Sequence, residues 1–331
     1  MIPEKFKSML VIEEDGKYIR RITDKNISDL PEGNVIIKVK YSSLNYKDAL
    51  SASGNKGVTR KYPHTPGIDA AGTVAESSSG KFKVGEEVLV TGYDLGMNTS
   101  GGFGEYIRVP ADWVVKLPEG LTLKESMIYG TAGFTAGLSL FKLEQAGLKN
   151  ENGEVLVTGA TGGVGSMAVA ILSNAGYNVV AATGKKDSEN YLKKLGAARI
   201  ISRSEVDDEK KKPLLTRQWA GVVETVGGNI LATVLAQTEM GCSVASCGNV
   251  KSVELNTTVF PFILRGVNLL GINSAETPMY TRLKVWEKLA SDWKPGTLEM
   301  MYEECSLEQL NEKIDLILKA GIRGRILVVH R

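Results

Sequence analysis

A glycine-rich turn at residues 159–165 carries the clearest chemical signal in the sequence. The apolar run Val155-Leu-Val157 precedes it, and small and apolar residues dominate the stretch 166–175 that follows. A strand, turn and helix of this kind aim main-chain N–H groups and the positive end of the helix dipole at one point, which suits a pyrophosphate. The spacing Gly163-x-Gly165-x-x-Ala168 fits the dinucleotide fingerprint, although an ordinary glycine turn is the alternative. We expect dinucleotide contacts at Thr161, Gly162, Gly163 and Val164.

The residues after the next predicted strand, 178–183, indicate which dinucleotide is bound. Enzymes that use NAD usually place an acid here, which accepts a hydrogen bond from the ribose 2′-hydroxyl. This chain has Thr183-Gly184-Lys185-Lys186 instead, and a hydroxyl with two ammonium groups suits a 2′-phosphate. We therefore expect NADPH, held in part by Thr183, Gly184 and Lys185. Asp187 lies close enough to this turn along the chain that NADH stays the second candidate cofactor. For Lys185 and Lys186, the alternative is a solvated basic turn that binds no phosphate.

Composition excludes several classes of protein. The 331 residues are 43% hydrophobic and 24% charged, which is ordinary for a globular protein long enough to bury two cores. The net charge of +2 is too small to predict binding to nucleic acid or membrane, and no stretch approaches the roughly 20 apolar residues that span a bilayer. Without an apolar signal core at the N-terminus, we expect a cytoplasmic protein that acts on a small molecule.

Cysteine and histidine usage predicts neither a disulfide nor a metal site. The three cysteines, Cys242, Cys247 and Cys305, cannot all pair, and the expected compartment is reducing. His64 and His330 are the sequence's two histidines, and neither lies near the cysteines along the chain. We therefore expect buried or partly buried thiols rather than ligands.

The order of predicted elements indicates an α/β protein with two domains. Up to about residue 120, short strands such as Val35 to Tyr41 and Glu87 to Thr91 alternate with turns, without a helix-rich alternation, which predicts a mostly antiparallel β domain. From Leu123 onward strands and helices alternate, which predicts a doubly wound parallel sheet of the Rossmann type. The six strands predicted for that sheet are 154–158, 178–183, 199–202, 221–226, 241–246 and 267–272.

The predicted domain limits follow from this change of pattern. Residues 1–123 and 294–331 form the first domain, which includes a late helix, Leu307 to Ala320, and a last strand, Arg325 to His330. Residues 124–293 form the nucleotide-binding domain. A cleft between two domains is where a dinucleotide and its substrate would be expected to meet.

The order of six motifs resembles the medium-chain dehydrogenases/reductases over nearly the whole chain. The stretch 259–273 and the Thr-Gly-Lys turn are similar to the quinone oxidoreductase and acryloyl-CoA reductase subgroup. The resemblance implies that the first domain is a GroES-like catalytic domain. The motifs are Asn45-Tyr-Lys-Asp48, Pro66-Gly-Ile-Asp-Ala-Ala-Gly72, Gly85-Glu-Glu-Val88, Gly101-Gly-Phe-Gly-Glu-Tyr106, Gly130-Thr-Ala-Gly-Phe-Thr-Ala136 and the Gly159 turn.

The same resemblance predicts that the chain uses no zinc. Zinc alcohol dehydrogenases of this superfamily carry a cysteine and a histidine where this sequence has Asn45 and Ile68, and their four-cysteine lobe is absent here. Without a Lewis acid to stabilise an alkoxide, the chemistry should rely on a conjugated acceptor whose developing oxyanion meets hydrogen-bond donors. Such an acceptor is a quinone or an activated alkene.

The catalytic candidates come from the motif that starts at Asn45. Tyr46 is the first candidate proton donor, with a packing residue as the alternative. Asn45 is a candidate to orient the substrate carbonyl, and Asp48 to fix the loop or to bond Tyr46. The acceptor stays open between a quinone and acryloyl-CoA, and a protein of another class, which binds NADPH without catalysis, is a further alternative.

The family resemblance adds further expected contacts to the cofactor. Asn273 departs from the aspartate that is frequent in the subgroup, and a surface ion pair is the alternative for each arginine. The positions that the resemblance adds to the expected cofactor contacts are Thr131, Arg203, Gly248, Asn249, Ile272, Asn273, Ser274 and Arg325.

The sixth strand, Val267 to Ile272, is apolar and expected at a sheet edge. Members of this family often pair through that edge, so we expect a homodimer.

The basic turn gives a test of cofactor choice. Replacing Lys185 and Lys186 together by alanine should raise the Michaelis constant for NADPH much more than that for NADH, because the 2′-phosphate loses two cationic partners. Steady-state kinetics with each cofactor measures the two effects. Replacing Lys210 and Lys212, in a basic run that we interpret as a surface loop, is the control; equal effects of the Lys185 and Lys186 change on both cofactors would contradict the assignment.

Overall fold

The computed structural model describes residues 2–330, with Lys186 described by its backbone alone. Two compact units emerge from the pattern of contacts. The first contains the residues up to Thr131, the segment Ala275–Lys284 and the chain from Leu298 onward; the second contains Ala132–Ser274 and Val285–Thr297. The domain limits given above remain a prediction.

Fifteen strands and eight α-helices occur within residues 2–330. The strands are β1 (Lys5–Glu14), β2 (Lys17–Asn26), β3 (Val35–Leu44), β4 (Asp69–Ser77), β5 (Glu87–Thr91), β6 (Tyr106–Val109), β7 (Val115–Lys116), β8 (Glu154–Val157), β9 (Asn178–Thr183), β10 (Arg199–Ser202), β11 (Trp219–Glu224), β12 (Thr238–Ser246), β13 (Asn268–Gly271), β14 (Tyr302–Cys305) and β15 (Arg325–Val329). The helices are α1 (Tyr46–Ala52), α2 (Leu123–Gln145), α3 (Gly163–Asn174), α4 (Glu189–Lys194), α5 (Gly228–Gln237), α6 (Phe260–Arg265), α7 (Met279–Ala290) and α8 (Leu310–Leu318).

The first unit is built mostly on antiparallel pairing, as the sequence predicted, and β14 and β15 are its parallel pair. Strands β1 and β2 form a hairpin, and a seven-stranded sheet has the order β14-β15-β3-β4-β5-β7, with β6 also paired to β3. Alternate side chains of β3, such as Val35, Ile37 and Val39, are buried in one apolar cluster with residues of β4 and β5. The late strand β15 pairs antiparallel to β3, which brings Arg325 close to the carboxyl end of β3.

The second unit contains the predicted parallel sheet. Its six strands have the order β10-β9-β8-β11-β12-β13, and every pair in it is parallel. This is the doubly wound order, in which the strand order reverses between β8 and β11 and the carboxyl ends of the strands form a ligand-binding edge. The central strands β8 and β11 are almost entirely buried, which explains why they appear in the sequence as apolar runs.

One prediction about the helices needs correction. The late helix covers Leu310–Leu318 and is therefore shorter than predicted. Ala320, its predicted last residue, takes a left-handed conformation with φ of 54°. Residues 2–120 contain one short α-helix, α1, which begins at Tyr46 and is separated from the end of β3 by one residue, and this agrees with the predicted lack of a helix-rich alternation. None of the helices within residues 2–330 combines the length and the apolar character needed to cross a membrane.

Candidate active site

Asn45 and Asp48 fix the start of α1. Asn45 is the N-cap residue with extended backbone angles, and the carboxylate of Asp48, at the third helical position, accepts from the Asn45 N–H at 2.8 Å and its Nδ2 at 3.2 Å. The second Asp48 oxygen accepts from the Ile68 N–H at 2.8 Å. Asp48 is completely buried, so its hydrogen bonds join the first turn of α1 to the chain just before β4. These bonds support the predicted fixing role of Asp48; none joins it to Tyr46.

Asp69, the first residue of β4, is the centre of a buried hydrogen-bond network. Its Oδ2 atom accepts from Ser43 Oγ at 2.6 Å, from Asn45 Nδ2 at 2.8 Å and from the Thr131 N–H at 2.8 Å. Its Oδ1 accepts from Thr131 Oγ1 at 2.5 Å. The side chain has no exposed surface, so these four donors replace the water that the carboxylate loses on folding.

Arg325 brings a positive charge into the same network. Its Nη2 atom donates to Ser43 Oγ at 3.0 Å and to Asn45 Oδ1 at 3.1 Å, and it lies 4.0 Å from Asp69 Oδ2. Its other nitrogen atoms donate to the carbonyl oxygens of Leu44 and Ile128, each at 3.3 Å. Arg325 is 3% exposed, so the structure places it inside the first unit, and its expected contact with a cofactor stays a prediction.

A glycine makes room for this network. Helix α2 is interrupted at Gly130, where φ is 50° and ψ is −156°. A Cβ atom built there would lie 2.3 Å from Ser43 Oγ and 2.5 Å from Asp69 Oδ2, so no other residue fits without displacing the network. The break also turns the Thr131 N–H towards Asp69. The motif that begins at Gly130 thus places Thr131 in the Asp69 network, and its expected cofactor contact remains a prediction.

Burial and the neighbouring carboxylate of Asp69 both influence the ionisation of Asp48. Burial raises the pKa of Asp48 to about 7, and the negative charge of Asp69 acts in the same direction. The N–H donors of Asn45 and Ile68 offset part of that rise. Burial also lowers the pKa of Arg325, against the attraction of Asp69 and Asp48. The network therefore holds one cation against two carboxylates, one of which takes up a proton near neutral pH.

Tyr46 is the exposed member of the motif. It occupies the first position of α1 and its side chain is 50% exposed, whereas the amide of Asn45 is 8% exposed. Asn45 Nδ2 donates to both carboxylates, and its Oδ1 accepts from Arg325. The amide therefore has partners on both sides inside the unit, and a substrate contact by Asn45 stays a prediction. Tyr46 is the candidate acid that remains accessible.

The second unit presents the predicted nucleotide turn at the carboxyl end of β8. Gly162 is the N-cap of α3. As a glycine it has no side chain that could accept hydrogen bonds from the first N–H groups of the helix. A Cβ atom on Gly165 would lie 2.3 Å from the Gly159 carbonyl oxygen, so the turn packs against the helix too closely for any side chain there. Main-chain N–H groups at the start of α3 are therefore available to an anion, and the turn fits a pyrophosphate.

The expected 2′-phosphate residues also lie together. Thr183 ends β9, its Oγ1 accepts from the Lys185 N–H at 3.1 Å, and it pairs in register with Ser202 of β10. Arg203 follows Ser202, and its guanidinium lies directly over Gly184: a Cβ atom on Gly184 would be 2.2 Å from Arg203 Nη2. A cation thus lies beside the hydroxyl and lysine that the sequence indicated. The side chain of Lys186 lies outside the described residues.

The other expected cofactor residues in the second unit follow the same edge of the sheet. Gly248 and Asn249 come just after β12, and the Ile272 N–H donates to the Ser246 carbonyl oxygen at 3.0 Å, which continues the pairing of β13 with β12. Asn273 and Ser274 follow directly. All these segments therefore lie at the carboxyl ends of parallel strands, where dinucleotides bind in doubly wound sheets.

Sequence analysis did not identify Asp69 or Ser43 as site residues. Asp69 was visible as an acid at the start of an apolar strand, inside the motif Pro66-Gly-Ile-Asp-Ala-Ala-Gly72. A buried carboxylate in such a strand needs donors, but those donors come from residues 24 to 62 positions away in the chain. A single sequence gives no signal for such distant partners.

Known proteins match this chain along nearly its full length. Residues 31–119 match the alcohol dehydrogenase GroES-like domain, and residues 163–291 match the family described as zinc-binding dehydrogenase. Bacillus subtilis YhfP, which carries the name of a quinone oxidoreductase, is 50% identical over 91% of both chains. The acrylyl-CoA reductase AcuI of Ruegeria pomeroyi is 46% identical over 96% of both chains.

Solved structures agree with these sequence matches. The Salmonella enterica oxidoreductase YhdH in complex with NADP superimposes with a TM-score of 0.96 and 44% identity, covering 98% of this chain and 100% of that one. YhfP with NAD bound superimposes with a TM-score of 0.97 and 46% identity, covering 99% and 100%.

The buried cation gives a stability test. Because the folded pKa of Asp48, about 7, lies above the unfolded value of about 4, its neutral form stabilises the fold at low pH, and this contribution is lost as the pH rises towards 7. Arg325→Met should therefore lower the free energy of unfolding by about 3 kcal/mol at pH 8 and by less at pH 5, where Asp48 is protonated.

Urea unfolding at both pH values measures this difference. Arg217→Met is the matched control, because Arg217 is 46% exposed in its ion pair with Glu239, and its loss should cost less than about 1 kcal/mol. A loss for Arg325→Met that is the same at both pH values, or no larger than that of the control, would contradict the network described here.

Proposed function

Because the chain belongs to the medium-chain dehydrogenase/reductase family, in the subgroup of quinone oxidoreductases and acrylyl-CoA reductases, we propose that it transfers hydride from NADPH to a quinone or another activated carbonyl compound. The observation that carries this proposal is the half-exposed Tyr46 on a helix turn that the buried carboxylate of Asp48 holds in place. A fixed acid beside a conjugated acceptor is what such a reduction needs.

NADPH is the proposed cofactor. The turn Thr161–Val164 would hold its pyrophosphate, and Thr183, Gly184, Lys185 and Arg203 would hold its 2′-phosphate. Gly248, Asn249 and the segment 272–274, with Thr131, are proposed near the nicotinamide. When bound, NADPH supplies the hydride. The position of Arg203 over Gly184 supports NADPH over NADH, since a guanidinium suits a phosphate better than a hydroxyl.

Tyr46 is proposed to supply the proton. Hydride addition to the β-carbon of an enone moves the alkene electron pair towards the carbonyl, and one proton then completes the saturated product. With a quinone, the same hydride and proton give the hydroquinone. Asn45, Asp48, Asp69 and Arg325 act as positioning residues in this proposal, because they set the first turn of α1 from inside the unit.

The reaction is proposed to proceed without zinc. Asn45 and Ile68 are not metal ligands, and their places are those of a cysteine and a histidine in zinc alcohol dehydrogenases. The Asn45 amide nitrogen also donates towards two carboxylates. Among the described residues no group of three or more histidine, cysteine, aspartate or glutamate side chains is arranged to hold a metal. The hydrogen bonds of Asn45 are what supports this proposal.

Acryloyl-CoA is the alternative acceptor. Similarity to AcuI proteins of Ruegeria pomeroyi and Escherichia coli, at 46% and 44% identity over nearly the whole chain, favours it. Of the basic residues near the active-site motif, Lys56 pairs with Glu13 at 2.8 Å and lies over the rings of Tyr18 and Tyr62. Lys56 is therefore already engaged, and Arg60 and Lys61 are the better candidates to meet CoA phosphates.

Removing the Tyr46 hydroxyl tests the assignment of the acid. Tyr46→Phe should lower kcat about 10²- to 10⁴-fold, with little change in NADPH affinity, because a positioned acid contributes in that range. Anaerobic oxidation of NADPH with a simple quinone and with acryloyl-CoA measures the rate. Tyr280→Phe is the matched control, since Tyr280 is 70% exposed on α7. Unchanged turnover in Tyr46→Phe would show that another group donates the proton.

A homodimer is proposed through the edge of the parallel sheet. Strand β13 is the last strand in the sheet order and pairs only with β12, so its other edge is open within the described residues. Apolar side chains are exposed beside it: Leu269 on β13 is 37% exposed, and Ile263 and Leu264 on α6 are 68% and 57% exposed. An open apolar edge of this kind favours pairing with a second copy.

A charge on this edge tests the dimer. Leu269→Lys should convert a dimer into a monomer at micromolar concentration, because lysine on an edge strand opposes strand pairing. Sedimentation equilibrium measures the mass in solution. Val84→Lys is the control, because Val84 is 70% exposed outside any strand. A wild-type protein that sediments as a monomer would overturn the proposal.

A further inference from the structure

Glu224 is a buried acid at the carboxyl end of the central strand β11. Its side chain has no exposed surface, and neither the sequence motifs nor the proposed reaction gives it a role. Burial raises the pKa of Glu224, and hydrogen bonds from Gly227, Val226 and Thr158 offset part of that rise. An acid buried so completely must either find a charged partner or lose its own charge.

The hydrogen bonds of Glu224 all reach one oxygen. Oε1 accepts from the Val226 N–H at 2.7 Å, from the Gly227 N–H at 2.9 Å and from Thr158 Oγ1 at 3.2 Å. Oε2 is buried and has no hydrogen-bond partner within the described residues. The three donors of Glu224 are uncharged, and no cation pairs with its carboxyl group within the described residues, so a negative charge there would have no counter-charge.

Glu224 joins three segments at the edge of the sheet where the dinucleotide is proposed to bind. Thr158 lies at the start of the glycine turn, and Val226 and Gly227 precede α5. The main-chain oxygen of Glu224 accepts from the N–H of Cys247, just after β12, at 2.9 Å. Next to it, Thr225 Oγ1 donates to the Thr158 carbonyl oxygen at 2.9 Å.

The glycine turn fits closely against this junction. A Cβ atom on Gly159 would lie 2.4 Å from Thr225 Oγ1, so the turn has no room to shift towards β11. The bond from Thr158 Oγ1 to Glu224 fixes the residue directly before Gly159. A change at Glu224 is thus transmitted to the start of the turn through one side chain.

We propose that Glu224 is a positioning residue that holds the dinucleotide turn as an uncharged carboxylic acid. It touches neither cofactor nor substrate and acts through Thr158 and the main chain before α5. The inference rests on the proposed binding of NADPH and assigns a residue that sets the shape of that site. Since the amide of glutamine has the same shape as a neutral acid, glutamine should replace Glu224 and alanine should not.

Three variants test this assignment through NADPH affinity, measured by quenching of protein fluorescence. Glu224→Gln should keep the Kd of wild type within about twofold, and Glu224→Ala should raise it about tenfold, because three donors lose their acceptor. Thr158→Val, which removes the donor to Glu224 and the acceptor of the Thr225 N–H and keeps the side-chain volume, should raise the Kd about threefold. The kcat at saturating NADPH should change less than the Kd in each variant, since Glu224 does not take part in the chemistry.

Unfolding of the cofactor-free protein provides a second readout. Glu224→Gln should unfold at the same urea concentration as wild type, and Glu224→Ala at a lower one. Glu239→Gln is the matched control, because Glu239 lies on the neighbouring strand β12 in a half-exposed ion pair, and it should leave both readouts unchanged. If Glu224→Ala fails to fold, Thr158→Val and Glu224→Gln still give the comparison.

The outcomes separate this inference from the proposed function. A wild-type protein that binds no NADPH would overturn the proposed function. If wild type binds NADPH but Glu224→Gln weakens binding and stability as much as Glu224→Ala, Glu224 acts as an anion and the inference is wrong. It is also wrong if Glu224→Ala or Thr158→Val binds NADPH as tightly as wild type.

Discussion

Asp69 is completely buried, and the arrangement of four chain segments depends on how its negative charge is satisfied. The donors come from Ser43 and Asn45 at the end of β3, from Thr131 in the broken helix α2 and, at longer range, from Arg325 on β15. An unpaired carboxylate in such a site would cost several kcal/mol, so none of these segments can shift independently. The first turn of α1, and with it Tyr46, is therefore positioned by the interior of the first unit.

In the second unit, the glycine turn after β8 is held by close main-chain packing and hydrogen bonds rather than by buried charge. A pyrophosphate needs main-chain N–H groups, and the turn after β8 exposes them because Gly165 lets α3 pack against the Gly159 carbonyl oxygen. The hydrogen bond from Thr158 Oγ1 to Glu224 fixes the residue directly before that turn. The first unit thus fixes the start of α1 with buried charge, and the second unit fixes its glycine turn with close packing and uncharged hydrogen bonds.

The parallel sheet and its glycine turn could be predicted from the sequence because their signals are local. Buried parallel strands such as β8 and β9 give apolar runs, and the predicted limits agree with the structure within one residue. β11 was predicted two residues late, because the prediction started at Gly221 and omitted the buried Trp219. All the strands predicted for this sheet are present, in the doubly wound order.

The Asp69 network could not be predicted in the same way. Helix α1 is seven residues long, too short for a clear period, although Asn45 and Asp48 have the spacing of a capping box. The role of Asp69 depends on partners from β3, α2 and β15, which only the folded chain brings together. Tyr46 was named from family resemblance, and its accessibility gives that choice a physical basis.

The most direct test of this account measures anaerobic NADPH oxidation by the wild-type protein with conjugated and saturated acceptors. The account predicts that a simple quinone or acryloyl-CoA is reduced at least a hundredfold more efficiently in kcat/KM than propanal, a difference of about 2.7 kcal/mol, and that a zinc chelator has no effect. Comparing the two conjugated acceptors then identifies the preferred one. Efficient reduction of propanal that a chelator abolishes would contradict the account.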